Sequence, residues 1–153
     1  MQKDLNDNLR NFSPVNILLI EDNPGDARLI QEVFKEGKIL NKLDVVIDGE
    51  EALLFLRKTG RYKDSTTPNL ILLDLSLSKK GGREILSEIK SDPDLRTIPV
   101  IMLLTSLSEK DILMKGVFHA NSYIIKPVDF NEFINAIKVI GTFWLRLVSL
   151  PGK

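Results

Sequence analysis

The chain reads as an α/β domain: a doubly wound, five-stranded parallel sheet with helices on both faces. Three observations predict this. Short apolar runs recur at Val15–Ile20, Leu70–Leu73 and Val100–Leu104, joined by β-branched stretches at Leu43–Ile47 and Ser122–Ile125. Runs this apolar are strands buried on both faces, as in parallel sheets. Between them lie segments with helical spacing of apolar residues, bounded by turn formers. Strict βα alternation then requires a parallel sheet flanked by helices.

Each element has a local reason. Residues 1–14 form a polar tail that ends at Pro14, and the single domain is placed at 15–150. The first strand stops at Glu21-Asp22, and Asn23-Pro24-Gly25-Asp26 is dense in turn formers. Asp26 is the expected cap of a helix carrying Ala27, Leu29, Ile30, Val33 and Phe34, closed by Gly37. After the strand Leu43–Ile47, Asp48-Gly49 turns the chain into a helix from Glu50 to Lys58. Thr59 to Pro68 is a polar loop before the strand that ends on Asp74. A helix from Arg83 to Lys90 turns Ile85, Leu86 and Ile89 inward. Ser108 starts a helix running to about Phe118, and Asp129 caps a last helix running to about Leu150.

Composition narrows the function. The 153 residues suit one domain, with 43% apolar and 27% charged residues. Lys+Arg and Asp+Glu both number 21, which argues against a generalised nucleic-acid or membrane surface. There is no Cys and one His, so Cys- and His-based metal sites are excluded. The polar N-terminus is not a secretory signal, and no apolar run approaches the roughly 18 residues of a membrane span. A cytoplasmic setting is expected.

In a parallel sheet the C-terminal strand ends share one edge, where ligands bind. Here that edge collects Glu21-Asp22, Asp74, Leu104-Thr105-Ser106 and Lys126. Clustered carboxylates raise one another's pKa or need a cation. An oxygen-only donor set suits a hard ion, Mg²⁺ before Ca²⁺. A carboxylate beside such an ion is also a nucleophile toward phosphorus, with Lys126 placed to neutralise phosphoryl oxygens. Each acid taken alone reads equally well as a helix cap or turn former, and Lys126 alone as a solvated lysine. Pro127 stiffens the turn that aims Lys126, and His119 reads as a surface or capping residue.

Glu21-Asp22, Asp74, Lys126-Pro127, Asp48-Gly49-Glu50-Glu51-Ala52 and Tyr123 together resemble the response-regulator receiver domains, of the chemotaxis-regulator type. Glu21-Asp22-Asn23-Pro24-Gly25-Asp26 and Phe143-Trp144-Leu145 further resemble the stand-alone receivers that partner phytochromes and other sensor kinases. The resemblance implies a flavodoxin-like fold and a phosphorelay component that is not a substrate-turnover enzyme. It implies Asp74 as acceptor of a phosphoryl group from a histidine kinase. Mg²⁺ would be held by Glu21, Asp22, Asp74 and the Ser76 carbonyl. Lys126 would pair with the phosphoryl group, and Tyr123 would be the aromatic switch.

The chain departs from that pattern at two places. The family carries a Ser or Thr at the end of the fourth strand, where this chain has Leu104, with Thr105 one residue later. A one-residue shift turns a strand side chain to the other face. Either the strand end slips and Thr105 contacts the phosphoryl group, or that donor is missing and coupling to Tyr123 is weakened. Ser78 replaces the subgroup's usual Pro, and Lys80-Gly81-Gly82 its Met-Asp-Gly; both changes are expected to loosen the loop after Asp74. Lys80 also adds a positive charge near the pocket.

Leu104 keeps open a rival reading, a pseudo-receiver serving as a constitutive interaction module. A Mg²⁺-dependent phosphohydrolase would want a second acid two residues after Asp74, where Ser76 stands, and a capping insertion. The apolar tail with Phe143, Trp144 and Leu147 predicts a homodimer interface with C2 symmetry. Output would then pass through protein contacts.

Overall fold

The computed structural model describes residues 15–37, 41–106, 109 and 122–140, with side chains described as far as residue 136. In chain order the elements are β1 (Val15–Ile20), α1 (Pro24–Glu36), β2 (Asn41–Val46), α2 (Gly49–Leu56), β3 (Leu70–Asp74), α3 (Gly82–Ser91), β4 (Val100–Leu104), β5 (Ser122–Ile125) and α4 (Phe130–Ile140). All neighbouring strands pair in parallel, in the order β2-β1-β3-β4-β5. The predicted five-stranded parallel sheet is therefore present. The helix expected after Ser108, His119 and the tail beyond Ile140 lie outside the described residues.

Strand alternation divides the core into two layers. Leu18, Ile20, Ile71, Leu73, Met102 and Leu104 face α2 and α3, meeting Leu53, Leu56, Ile85 and Ile89. Ile17, Leu19, Leu70, Leu72, Ile101, Leu103 and Ile124 face the other way, against Ile30 and Phe34 of α1 and Phe133 of α4. Phe34 and Phe133 meet edge to face with ring centroids 4.4 Å apart. β3 and β4 are buried along their whole length, as a central strand covered on both faces must be.

Several boundaries differ from expectation. The cap of α1 is Asn23, whose side chain accepts the Asp26 N–H at 2.9 Å, and Pro24 opens the helix. Pro suits that position because the first helical N–H needs no partner. Asp26 is thereby placed inside the first turn. Leu29 is 61% exposed, since Ala27, Ile30 and Phe34 already form the inward stripe. β2 ends at Val46, where the Glu21 N–H donates to the Val46 carbonyl, and Ile47 is left exposed beyond the last pair. Asp48 caps α2, accepting the Glu51 N–H at 2.8 Å.

At the far edge of the sheet β1 and β3 are clamped. The Asn16 N–H donates to Asn69 Oδ1 at 2.8 Å, and the Asn69 N–H donates to the Asn16 carbonyl at 2.7 Å. The ladder continues with Ile17 opposite Leu70 and Ile20 opposite Leu73.

Gly82 opens α3 and is not a loosening element. A Cβ there would stand 2.4 Å from the Asp74 carbonyl oxygen and 2.7 Å from Leu75 Cα. Both are main-chain atoms that cannot swing aside. Gly82→Ala should therefore cost about 1–3 kcal/mol of stability, read from the denaturant midpoint. A variant as stable as wild type would show that α3 can back away from the strand.

Candidate phosphoacceptor and metal site

The strand order reverses between β1 and β3, and the crevice beyond their C-terminal ends is where open α/β sheets bind ligands. Glu21 and Asp22 follow β1, and Asp74 is the last residue of β3. Glu21 is fully buried and Asp74 is 3% exposed, while Asp22 is half-buried. One carboxylate oxygen from each lies within 4.8 Å of the others.

Lys126 balances this charge. The β4–β5 ladder positions it, its N–H donating to the Leu104 carbonyl at 2.7 Å. Its ammonium stands 2.5 Å from Glu21 Oε1, 3.0 Å from Asp26 Oδ2 and 3.4 Å from Asp74 Oδ2. The Lys126–Pro127 peptide is cis. Burial works against the charged lysine, but its hydrogen bonds to Glu21 and Asp26 and the field of Asp74 outweigh it and hold the pKa above the ordinary value. Burial, then the hydrogen-bonded Asp74 carboxyl, push Glu21 up to about 7 against the pull of Lys126.

The loop after β3 is tied down. Both the N–H and the hydroxyl of Ser78 donate to Asp22 Oδ2, at 2.9 and 2.6 Å. The Ser78 hydroxyl bond is the chief cause that holds Asp22 below the usual carboxylate range. The loosening expected from losing a Pro is offset by these two donors, neither of which a Pro has. Lys80 pairs with Glu88 on α3.

The residues expected in the switch are dispersed. Leu104 is fully buried among Met102, Ile85 and Leu86. Half-buried Tyr123 packs against the same layer. Thr105 lies past the strand end, exposed, and its hydroxyl donates to Glu109 Oε1 at 2.7 Å. Ser76 donates its N–H to Asp74 Oδ1 at 3.0 Å and its hydroxyl to Glu109 Oε2 at 2.7 Å. Burial opposes ionisation of Glu109, but the bonds from the Thr105 N–H, Ser76 and Thr105 outweigh it and hold the carboxyl below its usual range.

Sequence reasoning missed three participants. Asp26, expected as a cap, is a partner of Lys126; a helix that starts at Pro24 turns it toward the sheet edge. Ser78 looks like a loop substitution in the sequence, because its partner Asp22 lies 56 residues away. Glu109 follows Thr105 by one helical turn, the spacing of an i,i+4 contact. The Phe143, Trp144 and Leu147 interface expectation lies outside the described residues.

The donor set fits a hard divalent cation. It is all oxygen, carries three carboxylates, and leaves Asp22 Oδ1 without a Ser78 bond. No helix among the described residues is long and apolar enough to cross a membrane.

The chain belongs to the response regulator receiver domain family, whose pattern matches residues 17–138. It is similar to response regulator Rcp1 of Synechocystis, 46% identical over 139 residues that cover 91% of this chain and 95% of the relative. Among solved structures it is similar to the bacteriophytochrome response regulator AtBRR, with a TM-score of 0.81 and 40% identity over 86% of this chain and 96% of that one. The phosphorylated cyanobacterial phytochrome response regulator RcpA matches with a TM-score of 0.69 and 45% identity, covering 87% and 95% of the two chains. The Mn²⁺-bound form of response regulator Rcp1 has the same TM-score and identity, covering 86% and 95%. The protein is a receiver-domain response regulator of two-component signalling, not an enzyme of the ordinary turnover kind.

The raised Glu21 pKa has a sign that can be tested. An acid whose folded pKa lies near 7 rather than 4.5 holds a proton in the folded state that the unfolded chain has released. Its contribution is complete below about pH 4.5 and is lost as pH rises through about 7. Denaturation of metal-free protein across this window should show wild type losing stability relative to Glu21→Gln as pH rises. A constant difference between the two would refute the assignment.

Proposed function

We propose that Asp74 is the phosphoacceptor and that Glu21, Asp22, Asp74 and the Ser76 carbonyl hold Mg²⁺ beside it. The observation that carries this reading is the meeting of the three carboxylates, two of them buried, with Lys126 at the β1/β3 crevice. The Mn²⁺ in the structure of Rcp1 supports a divalent ion here. The ion, when bound, would supply positive charge to the phosphoryl oxygens. Lys126 would contribute its ammonium to the same oxygens, taking it partly from Glu21.

The phosphodonor is a sensor histidine kinase, and the relatives named for phytochromes support a phytochrome-like one. A carboxylate oxygen of Asp74 forms the new bond to phosphorus as the P–N bond of the phosphohistidine breaks, and that electron pair returns to the ring nitrogen. Output passes through protein contacts in the cytoplasm. The apolar stretch with Phe143, Trp144 and Leu147 supports a homodimer. Thr105 is a phosphate contact in this reading only after it leaves Glu109, and Tyr123 and Leu104 form the switch region.

Buried Leu104 favours a second reading, in which the fold serves as a constitutive interaction module. Intact-mass spectrometry after incubation with acetyl phosphate and Mg²⁺ separates the two. Wild type should gain one phosphoryl group and Asp74→Asn none. No gain in a protein that still binds Mg²⁺, with Glu109→Gln equally unlabelled, supports the second reading. Sedimentation velocity at high micromolar concentration should show a dimer that Trp144→Ala weakens; a monomer there excludes the homodimer.

A further inference from the structure

The acceptor pocket has a second side. The β3–β4 ladder sets Asp74 opposite Leu103, and its last bond runs from the Leu75 N–H to the Leu103 carbonyl at 3.0 Å. Continuing both strands by the same step brings Ser76 and Thr105 side by side. Between them sits one anion, the half-buried carboxylate of Glu109. Its Oε1 accepts the Thr105 N–H at 2.5 Å and the Thr105 hydroxyl at 2.7 Å, and its Oε2 accepts the Ser76 hydroxyl at 2.7 Å. Ser76 in turn donates its N–H to Asp74 Oδ1. Three donors that converge on an oxyanion, two rungs past a phosphoacceptor, form a cradle for phosphoryl oxygens.

We propose that Glu109 is a positioning residue that fills this cradle while Asp74 is unphosphorylated, and that the phosphoryl group displaces it. The proposal rests on the reading of Asp74 as phosphoacceptor. Two facts make the exchange necessary. Leu104 is buried and offers no hydroxyl, and Ser76 and Thr105 are the hydroxyls that the structure aims together at one point beside Asp74. A phosphoryl dianion and a carboxylate cannot share those donors, because like charges at hydrogen-bond range repel. Departure of Glu109 then releases the Ser76 and Thr105 donors to the phosphoryl oxygens. Phosphorylation is thus transmitted through a side chain that leaves, in place of a hydroxyl that is drawn in.

A purely structural role is the competing account, with Glu109 serving as a cap for the turn after β4. Glu109→Gln separates the two. The amide oxygen still accepts hydrogen bonds and preserves a cap, while the charge is gone. Labelling by acetyl phosphate with Mg²⁺, followed by intact mass, transfers phosphorus to an Asp74 oxygen as the P–O bond to acetate breaks and acetate departs with the electron pair. The initial rate should rise on the order of tenfold in Glu109→Gln, and at least as much in Glu109→Ala, which loses the cap as well. Wild type labelled no more slowly than both variants overturns the proposal and leaves Asp74 as phosphoacceptor. No labelling of any of the three overturns both readings. Labelling of the variants alone supports the proposal and makes wild type a site held shut by its own glutamate.

Discussion

Everything at the C-terminal edge of this sheet depends on the ion pairing between Lys126 and the buried acids. Glu21 and Asp74 are withdrawn from water close to each other, and two carboxylates in that position cannot both ionise without a cation. The ammonium comes from the residue after β5, an edge strand separated from β1 by β3 and β4. A lysine is long enough to cross the intervening strand ends. Asp26 of α1 meets it from above the sheet. Three separate elements are thus knit together by one side chain, and the crevice keeps a shape that oxygen ligands and a phosphoryl group can use.

The supports of the pocket are backbone features as much as charges. Ser78 holds Asp22 with two donors, Gly82 lets α3 begin against the Asp74 carbonyl, and Ser76 aligns the Asp74 carboxylate. Together they turn a loop that departs from its family's sequence into one with a defined course. Leu104 belongs to a different part of the architecture. It completes the layer that Met102 and Ile85 share and that Tyr123 covers, so its apolar character serves the core.

Much of this was legible in the residues. Val15–Ile20, Leu70–Leu73 and Val100–Leu104 announce buried strands because a continuous apolar run has no other stable place. Acids at the ends of two such strands and a lysine at the end of another can only converge if the sheet is parallel. The misreadings have local causes. Asn23 and Asp26 are both competent caps, and Pro24 decided between them through its fixed φ and missing N–H. Leu29 and Ile47 look like core residues by hydropathy, but one sits off the helical stripe and the other past the last strand pair. The roles of Ser78 and Glu109 required knowing which loops touch across the crevice, and such contacts leave no periodic trace in a sequence.

The asparagine clamp at the other edge of the sheet has a consequence for the acids. Asn16 and Asn69 exchange hydrogen bonds one rung before Ile17 meets Leu70. Equal lengths of chain separate Asn16 from Glu21 and Asn69 from Asp74. The clamp therefore works as the zero mark of a ruler whose far end is the acid pair. Deleting or inserting a single residue in either strand would leave the hydrophobic layers out of phase and also offset one carboxylate from the other by a full rung. The spacing of the acid pocket is thus set at the opposite ends of the strands that carry it.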